Sequence, residues 1–484
     1  MWDTLRFYAG FVDSILVGKK SRPALERIQD ARLRRLLRHA VRRSRFYRRK
    51  YQGLNLERVK LTDLPTVSKT ELMEHFDEVM TDPRITRAGV EKFVADPANI
   101  DRHFLGRYAV CHTSGSQGRP ALIVQDRSVF RAIFAMQLAR GNAVPKTVGN
   151  FFYHLRHPRR WAVFLLRPGF FPTGTAFGNM PQPVRWLTDV RRYMISDPFA
   201  ENLTKLNEYQ PNYISGYAHI LLNLAAAQEA GKLDLRSGGH LTLMVNISEP
   251  LSAEHQARIE AVFGVPVANH YAMGECMPLS LGCPRFGGAH VNVDLAILEV
   301  VDRQGRPVPD GTPGDKVYVT NLCNSVQPFI RYEIDDVVTL SERPCACGSA
   351  LPHIRAVAGR NNDRLWVVIH GRYQELPNFL FTSALHTVFD LAEYQVEQFA
   401  RNGFRIFAQP IPGRTLAPET VLKALRTKLD REGLTPHLTL EVQLVDEVRP
   451  DSRTGKFRRF RSLVPQPSDP LAAPCEPELA MAGG

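Results

Sequence analysis

No uninterrupted apolar run in this chain approaches the ~18 residues of a membrane span, and Met1-Trp2-Asp3-Thr4-Leu5 lacks a basic segment followed by an apolar core. Neither a transmembrane segment nor a secretory signal is therefore expected, and the expected location is cytoplasmic. Cysteine is sparse: seven residues, at 111, 276, 283, 323, 345, 347 and 475. An odd number, widely scattered in a long chain, is not a disulfide framework. No internal repeat is visible, and no Walker A loop with its Gly-Lys-Ser/Thr ending is present. Excess basic charge is missing from most of the chain. Residues 1–50 hold fifteen Lys/Arg and four Asp/Glu, so +11 of the net +13 lies there and the other 434 residues carry only +2. Charge this local does not follow a nucleic-acid groove, and no nucleic-acid partner is expected.

What is present is an ordinary globular composition, 44% hydrophobic and 23% charged over 484 residues, enough for two or three domains. Trp2, Leu5, Tyr8, Phe11, Val12 and Ile15 stand at helical spacing over residues 1–17. Residues 23–51 predict a stronger helix, with Leu33, Leu36, Leu37, Ala40 and Val41 on one face and Arg32, Arg34, Arg35, Arg38, Arg42 and Arg43 on the others. Some basic amphipathic helices bind anionic membrane or nucleic acid, but the favoured reading is a stripe packed on its own domain. Ser68 is placed to cap the next helix.

From residue 105 to about 340, short apolar runs alternate with helical segments, which predicts α/β layers. Strands are expected at 213–216, 241–247, 265–268, 295–302, 316–321 and 329–340, and helices near 126–141 and 218–230. The aromatic region 151–180 is either a substrate pocket or plain core. Beyond Gly359 the pattern is that of a small α+β domain: strand 365–369, helix about 378–390, strands 394–400 and 404–411 joined at Asn402-Gly403, helix 418–431 and strand 438–445. The expected organisation is thus a helical region (1–100), a large α/β domain of layered sheets and helices (101–359), a small mobile C-terminal domain (360–464) and a Pro/Ala-rich disordered tail (465–484).

Residues that carry chemistry gather first at Cys111–Pro120, where Thr113, Ser114 and Ser116 accompany Gly115 and Gly118 between two apolar runs. Glycine admits close backbone approach, and successive N–H groups in a turn converge on an anion, so the composition suits phosphate. Alone, the stretch is equally a surface turn. It is followed in order by Tyr271-Ala272-Met273-Gly274-Glu275, Arg331-Tyr332-Glu333-Ile334-Asp335-Asp336, Gly359-Arg360-Asn361-Asn362-Asp363 and Gly455-Lys456. In this order and at these separations the set resembles the adenylate-forming superfamily of acyl-CoA synthetases, peptide-synthetase adenylation domains and luciferases. The finer resemblance is to its phenylacetate–CoA ligase-like branch, supported by Leu36-Leu37-Arg38-His39-Ala40 and Phe46-Tyr47-Arg48.

That resemblance implies roles. The loop Thr113, Ser114, Gly115, Ser116 and Gly118 would hold the β- and γ-phosphates of ATP; Ser248, Glu249 and Pro250 would line the adenine, and Asn269 through Tyr271 would stack on it. Glu275 would bind Mg²⁺, Asp336 the ribose hydroxyls with help from Arg360, and Lys456 would approach the carboxylate and α-phosphate during adenylation. These residue types suit a reaction that brings two anions together, because a metal and a compact cation neutralise the charge that develops. Cys283 and His290 (C-x₆-H) with Cys345 and Cys347 (C-x-C-G) form a closed set for structural Zn²⁺, a feature of many members of the branch. Gln117, Ala121, Met273-Gly274, Glu333-Ile334-Asp335 and Asn362 depart from the commoner residues of the family, which leaves adenylation in place and the acid and acceptor open.

The expected function is an ATP- and Mg²⁺-dependent ligase that forms an acyl-adenylate from an aromatic or small carboxylic acid and passes the acyl group to a thiol, coenzyme A or a carrier-protein phosphopantetheine. The alternative is transfer to a nitrogen nucleophile. A third reading is a non-enzymatic, zinc-containing basic binding protein. The oligomeric state stays open, with a dimer among the options.

Overall fold

Five strands of the middle region form one parallel sheet in the order Thr188–Met194, Arg159–Leu165, Tyr213–Gly216, Leu243–Asn246, Val267–Asn269. Tyr213–Gly216 and Leu243–Asn246 are buried throughout, as parallel strands covered on both faces must be. The helices Phe199–Tyr209, Ala218–Glu229 and Ala253–Phe263 bring Leu203, Leu206, Leu221, Leu224 and Ile259 onto Phe164, Ile214 and Met244. The chain is described here from a computed structural model that covers residues 2–113, 121–141, 157–446, 448 and 460–465, apart from 166–167, 196, 250, 252, 284, 361–364, 377, 386, 389 and 411–413.

Two strands of this sheet were not expected from the sequence. Thr188–Met194 is an edge strand carrying Asp189, Arg191 and Arg192, so it shows no apolar run; such charges keep an edge from pairing with another chain. Arg159–Leu165 lies in the aromatic region and its apolar half is core: Ala162–Leu165 are buried, Phe164 stacks on Tyr193 at 5.3 Å, and the half-buried Trp161 meets Phe177 edge-on at 4.9 Å. Phe151, Phe152 and Tyr153 lie outside the described residues.

Antiparallel sheets complete this part. Ala109–His112 pairs with Leu122–Gln125; Ala296–Val301, Lys316–Asn321 and Tyr332–Ile334 form a three-stranded sheet. A four-stranded sheet runs in the order Asp336–Ser341, His353–Arg360, Ala289–Val291, Ser280–Gly282. The single strand expected at 329–340 therefore divides at Asp335, where the chain leaves one sheet and enters another.

The basic N-terminal region packs inward by its apolar stripe, with Leu25, Leu33, Leu36, Leu37 and Ala40 buried. The helix expected over 23–51 is two, Arg22–Arg43 and Arg45–Lys50. Ser44 ends one, its N–H donating to Ala40 O, and begins the other, its Oγ accepting from Tyr47 N at 3.3 Å. Several arginines are structural: Arg34 donates to Leu56 O and Val59 O, and Arg32 to Asp294 O. Ser68 caps Lys69–Glu74 by accepting from Glu71 N at 3.1 Å, as its sequence context predicts. Among the described residues no helix is long and apolar enough to cross a membrane.

The chain forms two compact units that divide between Ala358 and Gly359. In the second, Leu391–Ala400 and Gly403–Pro410 make a hairpin flanked by Phe460–Ser462 and Thr439–Leu444. The helix Pro418–Arg431 buries Val421, Leu425 and Leu429 in a core with Phe381, Val396 and Phe404. The helix expected over about 378–390 is shorter, Phe379–Leu385. Asn402 at the hairpin turn donates to Val368 O at 2.8 Å and to His437 O at 3.0 Å, tying a second hairpin, Leu365–Ile369 and Arg372–Leu376, to the sheet.

Candidate active site

The adjacent strands Leu243–Asn246 and Val267–Asn269 end side by side, at the carboxyl edge where parallel α/β sheets present ligand-binding loops. Asn246, fully buried, bridges the ends of the two strands: its Nδ2 donates to Glu249 O and to Asn269 Oδ1, both at 2.7 Å. The segments Ser248-Glu249 and Asn269–Tyr271, far apart in sequence, are thereby held together. Ser248 has φ +65°, a conformation that few non-glycine residues adopt, and it turns the chain sharply after the strand. Sequence reasoning missed Asn246, although a polar residue closing the apolar run Leu243-Met244-Val245 was a signal for it. Pro250 lies outside the described residues.

Beyond Asn269, the hydroxyl of Tyr271 donates to Asp336 Oδ2 at 2.8 Å. The backbone of Tyr271 is fixed by Ser280, whose Oγ accepts from Tyr271 N at 3.1 Å and donates to Tyr271 O at 2.6 Å. An aromatic face and a carboxylate, separated by 65 positions, thus share one site. Asp336 stands where the chain switches sheets, at the first residue of its strand.

Glu275 is buried and located by three elements. Tyr332 OH donates to its Oε1 at 3.1 Å, Asn321 Nδ2 donates to its carbonyl at 2.8 Å, and Gln125 Nε2 donates to the preceding Gly274 O at 2.9 Å. A side chain at 274 would place its Cβ 2.8 Å from Ile123 Cδ1 and 3.0 Å from Pro172 Cγ, so glycine lets the carboxylate segment lie close against the hairpin without shifting those side chains. Cys111 is buried on that hairpin, and burial, then the nearby Glu275 charge, push its thiol well above the usual range, which makes it a packing residue.

Thr113 closes the stem of the hydroxyl-rich loop. Its N–H donates to Ala121 O at 3.1 Å, and its Oγ1 accepts from Ala121 N at 2.9 Å. Ser114, Gly115, Ser116, Gln117 and Gly118 lie outside the described residues, as does Lys456. Arg360 is the last residue of the strand His353–Arg360. The structure therefore unites Ser248-Glu249 with Asn269, Tyr271 with Asp336, and Glu275 with Tyr332 and the hairpin.

The four residues expected to bind zinc also converge. The Sγ atoms of Cys283, Cys345 and Cys347 and a ring nitrogen of His290 all lie within 4.8 Å of one another. Cys283 follows the strand Ser280–Gly282 and His290 lies in its partner, while Cys345 and Cys347 sit between Asp336–Ser341 and His353–Arg360. Gly288, at φ +63°, lets the hairpin pass close to His353, where a Cβ would come within 2.2 Å of Ile354 O. Cys276 and Cys323 are not in the cluster.

Residues 21–321 match the sequence profile of the family described as AMP-binding enzyme. The chain is 25% identical over 477 residues to phenylacetate-coenzyme A ligase of Thermus thermophilus, covering 91% of this chain and 97% of that one. Protein CapK of Staphylococcus aureus is 28% identical over 164 residues, 34% of each chain. Among solved structures, 2-hydroxyisobutyryl-CoA ligase in the postadenylation state shares the fold, with a TM-score of 0.57 at 19% identity over 88% of this chain and 87% of that one. The chain belongs to the AMP-binding enzyme family and is an adenylate-forming ligase.

Proposed function

We propose that the protein joins a carboxylic acid, aromatic or small, to coenzyme A or a carrier phosphopantetheine through an acyl-adenylate. In the first step a carboxylate oxygen attacks the α-phosphorus of ATP and pyrophosphate leaves. In the second the thiol sulfur attacks the acyl carbonyl, AMP leaves with the bonding pair, and a thioester remains. The observation that carries this reading is the Tyr271–Asp336 hydrogen bond just beyond the carboxyl edge of the parallel sheet, with Glu275, four residues after Tyr271, held by Tyr332, four residues before Asp336. Tyr271 presents a ring for the adenine and keeps Asp336 oriented toward the ribose hydroxyls. Ser248, Glu249 and Asn269 line the base, and Thr113 through Gly118 hold the leaving phosphates. Lys456, on the unit beyond Gly359, supplies the cation for adenylation only, with Arg360 beside the hinge.

Glu275 fits Mg²⁺ in donor type: it is a hard carboxylate oxygen donor, positioned by a hydrogen bond from Tyr332 OH to its Oε1. The metal would neutralise phosphate charge, and the chain's part is to hold that carboxylate in place. The Cys/His cluster fits Zn²⁺ in its donor types and number. Ligand atoms of a tetrahedral zinc site stand roughly 3.3–3.8 Å apart, and Cys347 Sγ and His290 Nε2 are 3.3 Å apart. With four protein ligands the ion would be structural.

ATP–pyrophosphate exchange across a panel of aromatic and small aliphatic acids tests the first step. At least one acid should support exchange, and Lys456→Ala should abolish it while leaving thioester formation from preformed acyl-adenylate largely intact. Absence of exchange with every acid would sink the adenylation reading. AMP release that depends on an amine rather than a thiol would move the second step to a nitrogen acceptor.

A further inference from the structure

The first helix, Trp2–Val17, uses one face and leaves another uncovered. Phe7, Ser14 and Val17 are buried, and the helix packs on Arg127–Arg140. On the other side Trp2 is 73% exposed, Leu5 54%, Tyr8 37%, Val12 52% and Leu16 56%. At ~100° per residue these five fall within an arc of about 120°, which contains no charged residue. Trp186, also exposed, stands on Gln182–Leu187, a helix that packs against the first. Contiguous exposure of large apolar side chains on a folded protein marks an interaction surface.

We infer that this face seats the protein on the surface of a bilayer containing anionic lipid. Charge complementarity selects that occupant. The two acids of the helix are neutralised within the protein, Asp3 by Arg131 at 3.1 Å and Asp13 by Arg32 at 2.6 Å. Arg6, Lys19 and Lys20 are exposed and make no ion pair among the described residues, and they belong to a fifty-residue segment with a balance of +11. Basic residues beside an apolar helix face are drawn to anionic headgroups, while Trp and Tyr favour the headgroup boundary. A second copy of the chain fits poorly. An isologous pair through this face would bring two strongly cationic segments together. Adsorption through one helix is peripheral and reversible.

Flotation of the full-length protein with phosphatidylcholine vesicles containing about 30% phosphatidylglycerol tests the inference. Binding should be at least ~10-fold tighter than to pure phosphatidylcholine, should weaken with salt, and should blue-shift Trp2 emission. The double variant Leu5→Glu/Val12→Glu, at exposed positions outside the catalytic site, should lose at least ~10-fold in binding with the thermal melting temperature unchanged. No flotation with the anionic vesicles at low salt, or equal flotation of the variant, overturns the inference. So does a wild-type dimer in sedimentation equilibrium that the variant dissociates, which would assign the face to a second copy.

Discussion

Replacing Arg331 with Met should cost the larger unit about 3–5 kcal/mol, the penalty for stranding a buried carboxylate. Arg331 is only 8% exposed in its side chain and forms a two-pronged pair with Glu299, itself 15% exposed, at 3.0 and 3.1 Å. The same guanidinium donates to Thr62 O and Leu64 O, so it also binds the N-terminal region to the sheet that leads into Asp336. For a unit of roughly 350 residues the loss corresponds to a fall of about 4–7 °C in melting temperature. The deficit should depend on pH. Burial raises the Glu299 carboxyl above its ordinary value, and Arg331 pulls it part of the way back. A raised native carboxyl contributes stability that is present below the unfolded pKa and lost as pH rises through the native value. Without Arg331 the carboxyl rises further and accepts a proton more readily, so the deficit should be larger near pH 8 than near pH 5. Adding Glu299→Gln should recover a large part of it. Scanning calorimetry of wild type, single and double variants at both pH values decides the matter. A single-variant shift of under about 1 °C, or one that the second substitution leaves unrepaired, would refute the reasoning.

Tyr271→Phe removes a hydrogen bond to Asp336 and should raise KM for ATP by about 3–10-fold with little change in kcat, because ribose contacts are made equally before and during the reaction. An unchanged KM, read from exchange kinetics, would refute the proposed place of Tyr271 and Asp336 at the ribose. Elemental analysis should find about one zinc per chain, and Cys345→Ser should lower both zinc content and melting temperature. Metal-free wild-type protein with an unaltered melting point would remove the zinc assignment.

The sequence was most informative where one local rule governs one element. Pro418–Arg431 and Tyr213–Gly216 follow from apolar spacing alone, and Ser68 follows from capping chemistry. It failed where neighbours outside the window decide. Ser44 divides what periodicity makes one helix, because its side chain meets Tyr47 N and its hydroxyl also donates to Glu78 O. In the first helix the residues at apolar spacing include those left exposed, since the face turned to Arg127–Arg140 is the one that carries Phe7 and Ser14, whose carbonyl accepts from Arg140 Nε. Glu275 and Asp336 could be proposed for the site from motif order, but their partners could not. Tyr332 and Glu275 are 57 positions apart, and Asn246 reaches Asn269 across 23. Only the strand order that places those ends together makes the contacts legible.

The Cys/His cluster and Asp336, the carboxylate proposed for the ribose, are linked by one sheet. Asp336–Ser341 runs away from the site for six residues, about 17–20 Å at ~3.4 Å per residue, before the connection that carries Cys345 and Cys347. His353–Arg360 returns beside it, so Asp336 stands at the end of the sheet opposite the cluster. The paired positions His353 and His290 place the hairpin that bears Cys283 and His290 beside the start of that returning strand. A metal there is too far away to polarise a phosphate. It can, however, close the connection between the outgoing and returning strands and fix their register. A slip of one residue would turn Asp336 to the other face of the sheet. Loss of the cluster should therefore weaken nucleotide binding only together with the order of these strands, and conditions that restore the fold should restore both.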